Sequence, residues 1–318
     1  MEYSAEAELE LLVAAAVMYY EHHRSQQAIA RRLGVSRSTV SRFLNRAREL
    51  GVVRIRIAPP NPDPEISGRL AKQLGLRAVY IAQGRAQESE PGPILAEPLT
   101  LALEQTGLVP GDVALASWGR AVASSIRHIR RSDTGAVVAP ATGGYASDEL
   151  WFQPNEIVRL LALALNGHPR FLNAPAVVSP GLARALHVEA QTRSVMDLWD
   201  RAKVALVGVG AWPSPDPSYA AAGFPVDDPA LAHAIGDVAG LPFTADGDLV
   251  PWPPHRQLLG VTPEQLRRIP HVIGLAGGVP KARAAVGAAR AGLITVLVTD
   301  APTARAIGAM TASAGAPV

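Results

Sequence analysis

The sequence predicts an α/β protein in two parts: a small all-α helix-turn-helix domain and a larger, Rossmann-like α/β domain. Three observations predict it. Two short capped helices, the second rich in arginine, fit between residues 25 and 50. A cluster of prolines (Pro59, Pro60, Pro62 and Pro64) then interrupts the pattern, and from Glu65 onward short apolar runs alternate with helical segments. The expected division is 1–58 for the first domain, 59–64 for a stiff linker and 65–318 for the second domain.

A chain of 318 residues suits two domains, and 48% hydrophobic against 18% charged residues is a soluble globular profile. The low aromatic share of 5% argues against a lectin-like or β-sandwich protein. The absence of cysteine excludes disulfides and thiolate metal sites. No apolar run is long enough to span a bilayer, and the opening residues carry Glu2, Glu6, Glu8 and Glu10, the opposite of a basic leader. The expected location is cytoplasmic, with no membrane partner. The net charge of +2 hides an asymmetry: residues 24–56 hold nine arginines and one acid, so that stretch carries +8 and the remainder −6. A cationic block beside an acidic remainder points to a polyanionic partner.

The first helix is expected over Glu8–Glu21, where Leu11, Leu12, Ala15, Val17, Met18 and Tyr19 give an apolar face too broad for a lone surface helix. His22, His23 and Arg24 end it, the histidines read as turn residues. Ser25 stands at an N-cap position for Gln26–Leu33, Gly34 at the position that takes positive φ after a helix, and Ser36 at the cap of Arg37–Leu50. Ala30 allows close helix packing and Val40 fills the interior, the steric needs of a tight helix-turn-helix whose second helix enters the major groove. Ser25, Gln26, Ser36, Arg37, Ser38, Thr39, Ser41, Arg42 and Arg46 are the candidate DNA-binding residues, with double-stranded operator DNA as the partner. A helical hairpin used only for dimerisation is the plainer alternative. Gly51–Ile57 alternates apolar and basic residues and reads as a strand, with Arg54 and Arg56 on one face.

In the second domain, strands are expected at Ala78–Ala82, Val113–Ala116, Ala136–Ala139, Val204–Val207, Val272–Ala276 and Thr295–Thr299. Helices are expected at Ile66–Leu74, Glu97–Gln105, Ala121–Ile129, Asn155–Leu165, Pro263–Ile269, Lys281–Ala291 and Thr303–Met310. That alternation indicates a mainly parallel sheet covered on both faces, with ligands at the carboxyl ends of its strands. Four loops stand out there: Ser117-Trp118-Gly119-Arg120, Pro140-Ala141-Thr142-Gly143-Gly144-Tyr145, Gly208-Val209-Gly210-Ala211 and Gly277-Gly278-Val279-Pro280-Lys281. Each alone is ordinary α/β loop chemistry. Four at one sheet edge, one with a lysine in the first turn of a helix, favour a small anionic ligand. No phosphate-loop or dinucleotide fingerprint is present, and Asp246-Gly247-Asp248 reads as a plain turn rather than a metal site. Trp118, Trp199, Trp212 and Trp252 read as packing residues.

The chain resembles the SorC-type sugar-responsive regulators, a family often grouped with DeoR. The likeness rests on S-Q-Q-A-I-A-R-R-L-G-V-S-R-S-T-V-S-R at 25–42, R-A-R-E-L-G-V-V at 46–53, Q-P-N-E-I-V-R at 153–159, L-N-A-P-A-V-V at 172–178, A-L-V-G-V-G at 205–210, G-D-V-A-G at 236–240 and G-G-V-P-K-A at 277–282. It implies a homo-oligomer, dimer or tetramer, and an effector domain similar to sugar-phosphate isomerase and deaminase folds without their catalysis. It implies a sugar, polyol or sugar-phosphate effector and no cofactor. Ser117, Trp118, Gly119, Arg120 and Lys281 would meet the phosphate, while Thr142, Gly143, Gly144, Gln153, Asn155 and Asp237 would line the sugar. Two departures bear on ligand charge: Ala121 stands where relatives carry Thr or Ser, and no arginine flanks Thr142. Both point toward an unphosphorylated or singly phosphorylated ligand.

Plainer roles exist for several of these residues: Asp237 as a turn residue, Gln153 and Asn155 as caps of the helix that follows. Two other readings of the chain stay open, a sugar-phosphate isomerase or deaminase fused to a DNA-binding head, and an oligomerisation module without a ligand. An enzyme would need a general base on the open-chain sugar; Asp237, Asp246 and Lys281 are available, with no carboxylate–histidine pair at matching spacing.

Overall fold

The computed structural model describes residues 5–22, 24–50, 52–53, 64–87, 91–214, 218–221 and 223–313. His23, the linker before Pro64 and most of the expected strand at 51–57, including Arg54 and Arg56, lie outside them. The chain divides into two compact units, Met1–Pro59 and Pro60–Val318.

In the first unit α1 (Ala5–Ala16) runs on into a π turn at Val17–Glu21, followed by α2 (Gln26–Leu33) and α3 (Arg37–Glu49). The Ser25 hydroxyl accepts from the Ala28 N–H at 3.2 Å and the Ser36 hydroxyl from the Thr39 N–H at 3.0 Å, so each cap satisfies an amide the helix leaves unpaired. Gly34 takes φ +66°, a conformation that a side chain disfavours, and this closes the turn between α2 and α3. Leu12, Ala15, Ile29, Ala30, Val40, Phe43, Leu44 and Ala47 form the core. Each large member contributes about 1.5–3 kcal/mol through burial.

The second unit is built on seven parallel strands. In chain order they are β1 (Ala78–Ala82), β2 (Val113–Ala116), β3 (Val137–Pro140), β4 (His168–Pro169), β6 (Ala202–Ala211), β10 (His271–Ala276) and β11 (Val296–Asp300), arranged β1-β11-β10-β6-β2-β3-β4. Between them come β5 (Val177–Val178), β7 (Gly236–Val238), β8 (Leu241–Phe243) and β9 (Gln257–Leu258). Alternation sends Val113 and Leu115 to one face and Ala114 and Ala116 to the other. The first face is covered by α4 (Pro64–Leu74), α12 (Ala282–Arg290) and α13 (Ala301–Ser313), the second by α5 (Gly92–Glu104), α6 (Arg120–Ile126) and α7 (Pro154–Leu165). This is the doubly covered parallel sheet that the alternation of runs implies.

Two features depart from expectation. The central strand β6 is ten residues long and includes Gly208–Ala211, read from sequence as a loop. Its overhang pairs antiparallel with β7, which turns back through Ala239 (φ +52°) and Gly240 (φ +80°) into β8. Two consecutive positive φ values in a two-residue turn match the twist of a hairpin. Helices α8 (Pro180–Val188) and α9 (Ala190–Met196) were not expected; α8 buries only Ala183, so it offers almost no apolar stripe to read.

Order and direction place a switch point between β2 and β6. The helix after β2, α6, lies on one face, and the helix that follows the β6 excursion, α11 (Pro263–Arg268), buries Leu266 on the other. Loops leaving adjacent strands in opposite directions open a crevice at their carboxyl ends. Among the described residues no helix is long and apolar enough to cross a membrane.

Candidate effector pocket and DNA-facing helix

A cavity of about 280 Å³ lies at that crevice. Trp118, Gly119 and Arg120 reach it from the loop after β2, and Gly208–Ala211 from the end of β6. Asp237 comes from the hairpin, and Gly277, Pro280 and Lys281 from the loop after β10. Of the four loops singled out in the sequence, three therefore border one cavity, one of them as strand. The fourth, Thr142–Tyr145, lies behind it: Tyr145 packs edge-on against Trp118 with ring centroids 5.3 Å apart.

Asp237 is the one carboxylate among the described lining residues. It is 3% exposed, and its Oδ2 accepts from the Gly240 N–H at 3.1 Å. Burial raises its pKa from the ordinary 3.8 to about 6, with the Gly240 hydrogen bond and the Lys281 charge opposing. Gly210 makes this placement possible: it pairs with Asp237 across the ladder, and a Cβ there would overlap the carboxylate. Lys281 ends a 3-10 turn, Val279–Lys281, just ahead of α12 rather than inside the helix. Its ammonium is close enough to act on Asp237, so an internal acid offsets part of the unfavourable placement of a cation before a helix N-terminus. The Arg120 guanidinium lies over the Trp151 ring, 4.9 Å from its centroid, within cation–π range.

The remaining candidates sit outside the lining. Ser117 is buried and its N–H donates to the Leu206 carbonyl. Thr142 is fully buried. The Gly143 and Gly144 amides donate to the Leu259 and Ala174 carbonyls, so they are engaged in the fold and not presented to an anion. Gln153 Nε2 donates to the carbonyls of Tyr145 and Ser147, and Asn155 exchanges hydrogen bonds with the Leu172 backbone. Neither side chain caps α7; they tie loops behind the pocket. Sequence reasoning missed Trp151, Tyr219 and Gly210 as lining residues. Gly210 was visible only as part of a glycine-rich stretch, and no local signal marks the two aromatics. Among the described residues no group of three metal-ligating side chains occurs, and Gly247 (φ +94°) sits in a turn.

On α3, Arg37, Ser38, Arg42 and Arg46 are exposed and Thr39 and Ser41 half-buried, while Gln26 on α2 is half-buried. Ser25 and Ser36 are engaged as caps, and the Ser38 and Thr39 hydroxyls hydrogen-bond to Ser36 at 2.7 and 2.8 Å. Arg46 pairs with Glu49 at 3.1 Å, both well exposed, an arrangement of little stability that a phosphate can displace.

Residues 59–308 match the family model described as "Putative sugar-binding domain", and 14–57 match a helix-turn-helix domain. The chain is 30% identical over 306 residues to the sorbitol operon regulator of Klebsiella pneumoniae, covering 93% of this chain and 97% of that protein. It is 28% identical over 310 residues to the deoxyribonucleoside regulator of Bacillus subtilis, covering 94% and 97%. The crystal structure of full-length SorC from Klebsiella pneumoniae superposes with a TM-score of 0.69 at 28% identity, over 94% of this chain and 98% of that one. With likeness running through both units and across more than nine-tenths of each chain, the protein belongs to the SorC/DeoR-type family of helix-turn-helix transcriptional regulators that carry a sugar-binding domain.

Proposed function

We propose that the protein regulates a carbohydrate or polyol catabolic operon, and that a sugar, polyol or singly phosphorylated sugar in this cavity controls its grip on operator DNA. One observation carries the reading: a buried carboxylate and a lysine border the same cavity at the switch point of the sheet. The lysine suits one anionic group and the carboxylate suits hydroxyl donors. Ala121 in the lining supplies no hydroxyl of its own, in keeping with a ligand of low charge. We read the site as a sensor rather than a catalyst, and a cytoplasmic location follows from work on operator DNA.

The test is a thermal-shift and calorimetric screen of sugars, polyols and sugar monophosphates against the full chain, with product analysis of every hit. Stabilisation with the ligand recovered intact supports a sensor. Conversion of the ligand would establish the isomerase or deaminase reading instead. Lys281→Ala is expected to weaken a phosphorylated hit by about 1.5–3 kcal/mol, the worth of a hydrogen bond to a charged group, while operator affinity without ligand stays at the wild-type value. Equal affinity in variant and wild type would reduce Lys281 to a surface charge.

Assembly is the second element of the proposal. Leu9 and Val13 on α1 remain 46% and 41% exposed within one chain. Two half-sites about one helical turn apart need two heads. Light scattering is expected to show a dimer or tetramer at micromolar concentration; a monomer with full operator affinity would refute it.

A further inference from the structure

At and behind the cavity wall, four buried polar atoms converge. The Trp118 indole nitrogen, the Thr142 hydroxyl, the Tyr145 hydroxyl and Asp237 Oδ1 are all buried, and none has a hydrogen-bond partner among the described residues. They are neighbours all the same. The Tyr145 phenol is buried, and the Asp237 charge, the Thr142 hydroxyl and the Trp118 N–H all lie near enough to act on it. Native proteins carry only a few unsatisfied buried groups per hundred residues; here four meet in one place, beside a cavity that Trp118 and Asp237 both border.

The chemistry of the four atoms restricts what can complete them. Trp118 only donates, an ionised Asp237 only accepts, and the two hydroxyls do either. If the indole N–H is directed at the phenol oxygen, Tyr145 keeps one proton to give. A group at the Asp237 end must then donate to Oδ1 and tolerate hydroxyl neighbours. A ligand hydroxyl meets both demands; a methylene, an ether or a carbonyl does not. The phenol is held in place independently of its oxygen, since the Tyr145 ring stacks on Phe224 at 5.1 Å and Gln153 binds its carbonyl at 3.0 Å.

We propose that Tyr145 is a specificity-determining residue of this pocket: its buried hydroxyl, backed by Trp118 and Thr142, poises Asp237 to accept from one hydroxyl of the effector, so the site selects a hydroxylated ligand over its deoxy counterpart. The inference rests on the effector reading above and adds the group that reads the hydroxyl.

The experiment compares the full-length wild type with Tyr145→Phe by calorimetry. The probes are polyol phosphates from glycerol 3-phosphate to glucitol 6-phosphate, each paired with the n-alkyl phosphate of equal chain length. Wild type is expected to prefer the polyol member of at least one pair by about tenfold or more. Tyr145→Phe should shrink that preference by most of its value and leave the alkyl phosphate within about twofold. A preference kept intact in Tyr145→Phe overturns the proposal, and so does an equal loss for both members, which would make the phenol a prop for the anion end. If no phosphate of either kind binds wild type, the phosphorylated form of the effector reading falls, and this proposal with it. Should Tyr145→Phe fail to fold, Thr142→Val gives the same comparison, with a smaller loss of preference expected; an unchanged preference there overturns the proposal equally.

Discussion

Asp237→Asn is expected to make the protein more stable at neutral pH and deaf to its effector. In the native state this carboxyl holds its proton up to about pH 6, against 3.8 ordinarily, because burial disfavours the anion. Between those two values the folded state therefore binds more protons than the unfolded one. Stability falls as pH rises through this window, and the full penalty is present above about pH 6. A difference of about two pKa units corresponds to on the order of 3 kcal/mol. The asparagine keeps an oxygen for the Gly240 N–H, now 3.1 Å from Asp237 Oδ2. Its added N–H groups can donate to the Tyr145 hydroxyl nearby, which can accept. Melting curves from about pH 4 to 8 should show wild type losing stability toward neutrality and the variant holding level. A variant no more stable than wild type near pH 7.5, with the same pH profile, would show that the buried charge is not penalised. The expected cost falls on function, where the proposed task of this buried acid is to accept from the ligand.

The double variant Arg37→Ala, Arg42→Ala should lose operator binding by about a hundredfold or more. Both side chains are exposed on the N-terminal half of α3, the end a recognition helix presents to DNA. Each contact to a base edge or phosphate is worth about 1–3 kcal/mol. Salt dependence separates the two roles. A lost phosphate contact flattens the slope of log affinity against log salt by about one unit for each contact, while a lost base contact leaves the slope and relaxes preference at one position. Neither side chain helps hold the head together, since the core is made by Val40, Phe43, Leu44 and Ala47 on the opposite side of α3. The melting temperature should therefore stay near wild type. Unchanged affinity and slope in the double variant would move the DNA contact elsewhere.

Where a residue's task is local, the sequence announced it. Ser25, Gly34 and Ser36 act on amides or turns within three residues of themselves, and the structure has them doing so. The parallel strands were legible because burial on both faces leaves short uninterrupted apolar runs, as in Val113–Ala116. Lys281 and Trp118 could be assigned to one edge of the sheet because strand direction alone puts them there. What failed to show were pairings at a distance. Nothing near Gly208–Ala211 tells that a hairpin beginning at Gly236 will extend β6, so the glycine that makes room for a carboxylate, Gly210, looked like part of a loop. Gln153 and Asn155 do not cap α7 for the same reason: their partners, the Tyr145 and Leu172 backbones, are set by tertiary folding. The aromatic wall around Trp151 and Tyr219 was likewise invisible, because its rings come from separate short helices that meet only in space.

The β7–β8 hairpin makes specificity transplantable. Outside itself it pairs with β6 alone, at the overhang beyond the parallel register, yet it carries the acid that faces the cavity. Exchanging or lengthening it breaks no rung of the seven-stranded ladder. The loops after β2 and β10 stay where the sheet puts them. On the proposed role of Asp237, a protein engineer, or a lineage meeting a new carbon source, would rewrite which hydroxyl is read by editing a segment of eight residues, Gly236–Phe243, with the seven-stranded ladder left intact.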